Sequence, residues 1–152
     1  MTEKPAPSRP VKSDFRHFTR LAVRWGDLDS LGHVNNAKFF TYDEQARLEY
    51  FRVFEGVVPN MWKDEGLILA RVACDFLQQL HHPAALEIGY RICKLGRSSM
   101  EAESGIFDGD RLVATLQGVI VWFDYRAQKP AAIPEVVRST IRSFEVVAPI
   151  EA

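Results

Sequence analysis

The sequence predicts a single α+β domain in which an antiparallel sheet curls around one long helix. Two observations favour this class. One long and largely apolar helical pattern lies in the first third of the chain, and almost everything between Gly66 and Arg126 alternates as β-strands do. The 152 residues suffice for one domain with its own core. A lone helix and a single sheet bury their apolar faces most readily when the sheet wraps around the helix.

The first predicted strand covers residues 18–25. Its buried face is expected to carry Leu21, Val23 and Trp25. The segment 26–33 is rich in turn-forming residues and too polar for a strand. Asn35 or Asn36 then offers an N-cap, and apolar residues at spacings of three and four predict a helix from about Asn36 to Glu55.

Four further strands are predicted after the helix. They cover residues 67–80, 86–92, 100–106 and 112–123. Asp108-Gly109 is a hairpin signal between the third and fourth of them. A short amphipathic helix, Ile133 to Phe144, follows. Five strands around a long central helix, with a short C-terminal helix, form the hotdog arrangement. Its open edges predict a homodimer or homotetramer.

Composition excludes several classes of protein. Apolar residues make up 47% and charged residues 26% of the chain, the balance of a soluble globular domain. The net charge of −1 lacks the basic excess of a nucleic-acid-binding protein. No apolar run approaches the roughly 20 residues that span a membrane. Residues 1–14 are expected to be a flexible lead without a signal sequence, and residues 15–152 the domain. Cys74 and Cys93, which lack paired spacing, predict buried reduced thiols in the cytoplasm.

The loop at residues 26–36 is where chemistry is expected, because it leads into the N-terminus of the helix. Backbone N–H groups there are unpaired and carry positive potential. A carbonyl oxygen that gains negative charge during acyl transfer is stabilised at such a point. Asp29 lies just upstream, and a carboxylate there can attack a thioester or activate water. The residues alone favour the simpler interpretation, that Asp27 and Asp29 are turn or cap residues.

The stretch WGDLDSLGHVNNAKFFTYDEQARLEYF resembles the opening signature of the 4-hydroxybenzoyl-CoA thioesterase family. That signature runs approximately D-x-D-x-x-G-H-V-N-N, with an aromatic residue and an E-x-A-R sequence on the helix that follows. The matching positions are Asp27, Asp29, Gly32, His33, Val34, Asn35, Asn36, Phe39, Glu44, Ala46 and Arg47. Weaker similarity continues through LGRSSMEAES and WFDYRAQKPAAIP. The resemblance therefore covers nearly the whole expected domain.

The resemblance implies an acyl-CoA thioesterase that releases a free acid and CoA without a cofactor. It assigns the role of nucleophile or general base to Asp29. It assigns polarisation of the thioester carbonyl to the backbone N–H of Asn36. The supporting positions that it implies are His33, Asn35 and Glu44 around the substrate and its oxyanion, and Arg97, Ser98 and Ser99 around the phosphates or pantetheine arm of CoA.

Two histidine positions have competing interpretations. His33 can shuttle protons at neutral pH, but a histidine beside glycine at the end of a loop more often shapes the turn. The pair His81-His82 precedes Pro83 and predicts a turn, because no carboxylate or cysteine at ligand spacing accompanies it. No metal site is therefore predicted. Glu44 is explained equally well by pairing with Arg47.

Two other functions remain open from the sequence. A hotdog hydratase of enoyl or 3-hydroxyacyl thioesters would show approximately G-D-x-N-P-x-H. This chain lacks the Asn-Pro pair, and its histidine stands one residue too far from the first aspartate. A domain that binds acyl thioesters without turnover is the second, because fold alone never establishes activity. The acyl group is not evident: an acyl pocket and ordinary core are both compatible with Tyr50, Phe54, Met61 and Trp62.

Overall fold

The computed structural model describes residues 8–151, in which one long helix lies against a sheet that curls around it. The helices are α1 (Asn36–Phe51) and α2 (Glu135–Phe144). The long strands are β1 (His17–Ala22), β2 (Glu65–Phe76), β3 (Ala85–Leu95), β4 (Ser99–Asp108) and β5 (Arg111–Asp124). Their order across the sheet is β1-β3-β4-β5-β2, and each neighbouring pair is antiparallel. The predicted hotdog fold is confirmed.

Two short strands extend this sheet beyond the five that were predicted. β6 (Lys129–Pro130) pairs with β5, and β7 (Ile150–Glu151) pairs in parallel with β3. Strands of two residues contain no measurable alternation, so a sequence pattern does not reveal them. No helix in the described part of the chain is long and apolar enough to cross a membrane.

The central helix begins where its capping residue predicts and ends earlier than predicted. The side chain of Asn35, the N-cap, accepts a hydrogen bond of 2.9 Å from the N–H of Ala37. The helix ends at Phe51, and residues 52–54 form a 3₁₀ turn in place of the predicted continuation to Glu55. Such a tightened last turn provides partners for the terminal carbonyl groups of a helix.

Hydrogen bonds from buried polar side chains hold α1 to the elements around it. Asp43 accepts a hydrogen bond of 2.5 Å from the hydroxyl of Ser104 on β4 and one of 3.0 Å from Arg47. Burial raises the pKa of Asp43 above its ordinary value, although these hydrogen bonds oppose the change. The hydroxyl of Tyr50 donates to Glu145, which follows α2 and also accepts the N–H of Ile92 at 3.0 Å.

Three further predicted boundaries were wrong. Trp25 is 77% exposed, because β1 ends at Ala22 and a 3₁₀ turn follows it at Trp25–Asp27. The predicted strand at 67–80 ends at Phe76, beyond which the N–H groups of residues 77 and 78 both donate to the carbonyl of Val113. The last helix begins at Glu135 rather than Ile133, because a residue before proline is disfavoured in helical backbone.

The start of the described chain packs over the outer face of the sheet. Phe15 is 4% exposed and lies against Gly89, where any side chain would collide with its ring. Pro10 is buried, and Lys12 pairs with Glu87 on β3 at 3.5 Å. Part of the expected flexible lead, including Pro10 and Lys12, therefore contacts the domain. Residues 1–7 of that lead lie outside the described residues.

Candidate active site

A buried carboxylate anchors the loop between β1 and α1 to the helix. Asp27 is 3% exposed and accepts hydrogen bonds of 2.6 Å from the hydroxyl of Tyr42 and 3.0 Å from the N–H of Arg24. Its backbone carbonyl accepts the N–H of Asn35, the cap of α1, at 2.9 Å. Asp27 thus joins the end of β1, the helix cap and the second turn of α1.

The environment of Asp27 favours its charged form. Burial by itself raises the pKa of this carboxyl, and the hydrogen bonds from Tyr42 and from the Arg24 N–H lower it. The positive charges of Arg24 and Lys38, each 4.0 Å from Asp27 Oδ1, act in the same direction. The pKa of Asp27 is therefore lowered, and the loop is held by an ionised carboxylate.

Asp29 is half-buried and organises the rest of the loop. Its Oδ1 accepts the N–H groups of Leu31 at 2.9 Å and His33 at 3.4 Å, while its own N–H donates to the His33 carbonyl at 2.8 Å. Gly32 closes this turn with φ = 81°, a backbone conformation that glycine adopts without strain. Asp29 Oδ2 receives no hydrogen bond within residues 8–151, which leaves it available to a substrate or a water molecule.

The N-terminus of α1 supplies the second polar group of this region. The side chain of Asn35 caps the N–H of Ala37, and its carbonyl accepts the N–H of Lys38 at 2.9 Å. The N–H of Asn36, the first residue of the helix, has no acceptor in the described part of the chain. An unpaired N–H at the positive end of a helix is suited to binding an oxyanion.

A cavity of about 470 Å³ lies between this loop and the segment after β2. The structure brings four of the predicted site residues together on its wall: Asp29, His33, Asn35 and Asn36. Apolar wall is supplied by Phe39 and Phe76, whose ring centroids are 5.2 Å apart. The segment 77–80 completes the wall, a contribution that the sequence did not show because this segment was predicted to continue β2.

His33 contributes mainly its backbone to the loop. Its N–H and carbonyl both bond to Asp29, as given above, and its ring meets the ring of His81 edge-on with centroids 4.9 Å apart. Within residues 8–151, no group of three or more histidine, cysteine or carboxylate side chains could hold a metal ion. Cys74 and Cys93 are free and half-buried rather than buried, and burial raises the pKa of their thiols to about 12 and about 11.

The other predicted site residues lie away from this cavity within one chain. Glu44 is eight residues beyond Asn36, or about 12 Å along the helix, where it is exposed and 3.7 Å from Arg47. Arg97 and Ser98 lie in the turn between β3 and β4, and Ser99 is the first residue of β4. The loop of Asp29 lies at the other end of β3, about 33 Å away along a strand of this length.

Tyr42 and Asp43 are the polar residues of this region to which sequence reasoning gave no role. Both lie on the buried face of α1, where an apolar pattern makes a tyrosine look like ordinary core. A usable signal was present, because a buried tyrosine hydroxyl nearly always finds a hydrogen-bond partner. The separation of Tyr42 from Asp27 along the chain, however, does not reveal that these two side chains form a hydrogen bond.

The fold is that of a hotdog domain, and Asp29 and the N-terminus of α1 lie on one of its cavities, as the resemblance to thioesterases leads us to expect. The family model for the thioesterase-like superfamily matches residues 23–141. The chain belongs to this superfamily.

Individual relatives agree with this assignment. A thioesterase from Thermus thermophilus, solved in complex with coenzyme A and Zn, superposes with a TM-score of 0.74 at 35% identity, covering 87% of this chain and 96% of that one. The uncharacterized protein YsmA of Bacillus subtilis is 31% identical over 62% of this chain, a match that spans 63% of YsmA. The chloroplastic acyl-acyl carrier protein thioesterase ATL3 of Arabidopsis thaliana is 25% identical over 84% of this chain and 68% of its own length.

Replacing Tyr42 with phenylalanine should destabilise the fold in a pH-dependent way. A hydrogen bond to a charged group contributes about 1.5–3 kcal/mol, so the free energy of unfolding should fall by about that amount at neutral pH. The pKa of Asp27 is lowered in the folded state. The stabilisation that ionised Asp27 gives to the fold is therefore fully present above the unfolded-state pKa. It is lost as the pH falls towards the folded-state pKa. Urea unfolding curves of wild type and Tyr42→Phe should converge on acidification.

Tyr125→Phe is the matched control for this experiment. The Tyr125 hydroxyl donates to the neutral backbone carbonyl of Leu67 at 2.9 Å, so its loss should cost about 0.5–1.5 kcal/mol with little dependence on pH. A difference between wild type and Tyr42→Phe that stays constant across the acidic range would show that the Asp27 contact does not stabilise the loop as described.

Proposed function

We propose that this protein hydrolyses acyl-CoA thioesters to a free acid and CoA at the cavity that Asp29 and Asn36 share. The observation that carries the proposal is the presence of a carboxylate oxygen and a backbone N–H, both without partners in the described chain, on one cavity wall. Membership of the thioesterase-like superfamily supports the reaction class. The coenzyme A bound by the Thermus thermophilus relative supports the choice of CoA ester.

The proposed chemistry divides between these two groups. The thioester carbonyl oxygen accepts a hydrogen bond from the Asn36 N–H, which stabilises the negative charge that develops on it. Asp29 then acts in one of two ways: it takes a proton from a water molecule that attacks the carbonyl carbon, or it attacks that carbon itself to form an anhydride that water hydrolyses. In both cases the C–S bond breaks and the sulfur leaves as the thiolate of CoA, which takes up a proton.

This chemistry does not require a metal ion, because the helix N-terminus supplies the positive potential that a Lewis acid would otherwise provide. The name of the relative ATL3 adds acyl carrier protein to the carriers worth testing. The substrate panel therefore includes acyl-CoA and acyl-carrier-protein esters of the same acyl groups, assayed by release of free thiol with and without a chelator. Thiol release that persists in the chelator is expected.

Asp29→Asn should lower kcat by about 10²–10⁴-fold, the contribution of a general base. The amide oxygen can still accept the N–H groups of Leu31 and His33, so the loop and the melting temperature should be preserved. Ser30→Ala changes the adjacent exposed residue and should leave kcat unaltered. A folded Asp29→Asn protein with wild-type turnover would refute the mechanism, and binding of substrate without turnover in the wild type would identify a binding domain instead.

Asn36→Pro should lower kcat by about 10²–10³-fold, the effect of losing one oxyanion donor. Proline lacks the N–H, but it is tolerated in the first turn of a helix. The preceding residue, Asn35, already has φ = −59° and ψ = 135°, a conformation that is allowed before proline. Asn36→Ala retains the N–H and should have a mild effect. Equal kcat values for the two variants would remove the oxyanion role of this position.

A second copy of the chain is part of the proposal. β2 is an outer strand of 12 residues, and it leaves Ile68, Leu69 and Phe76 exposed at 39%, 38% and 43%. Within residues 8–151 no strand pairs with the outer side of β2, and an edge of this length that carries apolar side chains favours pairing with another strand. Antiparallel pairing of β2 with its copy makes the strands of the two sheets run in opposite directions. The turn of Arg97 in one subunit then lies at the same end of the dimer as the Asp29 loop of the other subunit. A homodimer, or a homotetramer built from it, is the proposed state.

Arg97→Ala should raise KM for acyl-CoA by about tenfold or more, because a charge-assisted hydrogen bond contributes about 1.5–3 kcal/mol. KM for the matching acyl-pantetheine, which lacks the nucleotide phosphates, should not change. Refolding a mixture of Arg97→Ala and Asp29→Asn chains should restore part of the wild-type kcat/KM, because one site of each mixed dimer then has both residues intact. Equal effects on both substrates, or no recovery in the mixture, would exclude Arg97 as a phosphate ligand supplied across the interface.

A further inference from the structure

A second cavity, of about 190 Å³, lies between α1 and the strands β2 and β5. We call it the distal cavity. Its apolar wall consists of Leu48, Phe51, Trp62, Leu67, Leu69 and Ile120. An apolar cavity of about 150 Å³ stays dry and binds benzene in an engineered protein, so this space suffices for several carbon atoms of a hydrocarbon chain.

The charged residues that reach the distal cavity do not select a charged ligand. Arg47 and Glu44 lie on its rim. The guanidinium of Arg47 is 3.0 Å from the Asp43 carboxylate and 3.7 Å from the Glu44 carboxylate. Its charge is therefore compensated before any ligand enters, and the remaining wall offers only apolar contacts. The chemistry of the wall favours an aliphatic group.

Apolar side chains lie between the distal cavity and the cavity of Asp29, and we call this stretch the apolar seam. Asn36, Phe40 and Glu44 recur every four residues and so lie along one side of α1. Phe40 is 37% exposed, and its ring meets that of Phe76 on β2 with centroids 6.4 Å apart. These two rings line the stretch between Asn36, which lies on the first cavity, and Glu44, which lies on the second.

Trp62 is held at the far wall of the distal cavity by several constraints. It has φ = 73°, a conformation that is strained for a bulky residue. Its N–H donates to the Glu65 carbonyl at 2.8 Å, and its indole Nε1 donates to Glu55 at 3.0 Å. Strain of this kind persists only where the surroundings determine the conformation. The indole ring is thus a fixed wall.

We propose that the distal cavity holds the end of the substrate's acyl chain and that Trp62 sets the longest chain the enzyme accepts. The inference rests on the proposed thioesterase function and names its substrate class as straight-chain aliphatic acyl groups of medium length. The distance from Asn36 to Glu44 is about 12 Å along the helix. An extended backbone advances about 1.2 Å per bond, so a chain of about ten carbon atoms reaches the distal cavity from Asn36.

The experiment measures kcat/KM for a series of straight-chain acyl-CoA esters from four to sixteen carbons, and 4-hydroxybenzoyl-CoA serves as the aromatic comparison. In the wild type, each added methylene that becomes buried should raise kcat/KM by about fourfold, which corresponds to 0.8 kcal/mol. The rise should stop near ten to twelve carbons, a length set by about 12 Å of helix plus the cavity, and longer chains should react more slowly.

Trp62→Gly removes the indole and suits the positive φ, so the optimum should move to longer chains. Trp62→Phe keeps an aromatic wall and should leave the optimum near the wild-type length. Asn60→Gly is the matched control, because it relieves a similar positive φ of 58° in the same loop without altering the cavity wall. Leu48→Trp tests the opposite direction: it places more bulk at a cavity wall position that is 45% exposed, so it should shorten the optimum while the fold persists.

Binding of straight-chain fatty acids and acyl-CoA to the Asp29→Asn protein, measured by calorimetry, separates this inference from the proposed function. If the longest chain that binds well becomes longer in Trp62→Gly, the distal cavity holds the end of the chain. This result supports the inference even when no thioester is hydrolysed. A different result would overturn the inference and leave the proposed function intact. In that result hydrolysis depends on Asp29, but the dependence of kcat/KM on chain length is the same in wild type, Trp62→Gly and Leu48→Trp. A clear preference for the aromatic ester over every aliphatic one would also overturn it.

Discussion

The hydrogen bond from the Tyr42 hydroxyl to the Asp27 carboxylate, 2.6 Å long, connects the buried core to the loop on which the proposed chemistry depends. Tyr42 belongs to the buried face of the central helix, and Asp27 belongs to the loop in front of it. The Asp27 carbonyl also holds the N–H of Asn35. Because one residue binds both the cap and the second turn of the helix, the loop cannot shift without disturbing the core.

The geometry of the site follows from that anchor. With both ends of the loop held, the turn at residues 29–33 closes on itself through the Asp29 side chain and the left-handed Gly32. The side chain of the Asn35 cap accepts the N–H of Ala37, and the Asn36 N–H has no acceptor among residues 8–151. A carboxylate oxygen and a backbone donor are therefore fixed on one cavity wall. In the proposed reaction, preorganisation of this kind would let an electrostatic interaction lower the barrier without reorganisation cost.

The two cavities share one structural cause. α1 is apolar around much of its circumference, yet the sheet of a single chain leaves its side towards β2 only partly covered. Phe40, Leu48 and Leu69 stay exposed there at 37%, 45% and 38%. In the proposed function, this seam is where an acyl chain would gain apolar contacts, and the edge of β2 lies beside it. Chain-length selection and self-association, both proposed above, would then use adjacent parts of the same surface.

The elements of the fold could be predicted from the sequence because their signals are local. A capping asparagine, helical spacing over four turns and alternation in long strands each depend on neighbours in the chain. The predicted ends of strands and helices were wrong where a tertiary contact sets the end of the element. Trp25 continues the alternation of the first strand, but the capping of its turn by Asp27 places it in solvent. Strand β2 ends at Phe76 because the next two N–H groups both donate to the carbonyl of Val113. No local sequence pattern indicates this contact.

By itself, the sequence determined the fold class, because that depends on the periodicity of apolar residues. It also determined the family and pointed to the loop of Asp29 and Asn36 as the candidate site, because both depend on one contiguous motif. Only the tertiary structure decided which distant residues meet. It joined Tyr42 to Asp27, placed the segment 77–80 in the cavity wall, and set Arg97 at the opposite end of the sheet from Asp29. The physical reason is that an antiparallel sheet brings together residues far apart in the chain. Its register is set by packing across strands, which a single sequence does not display.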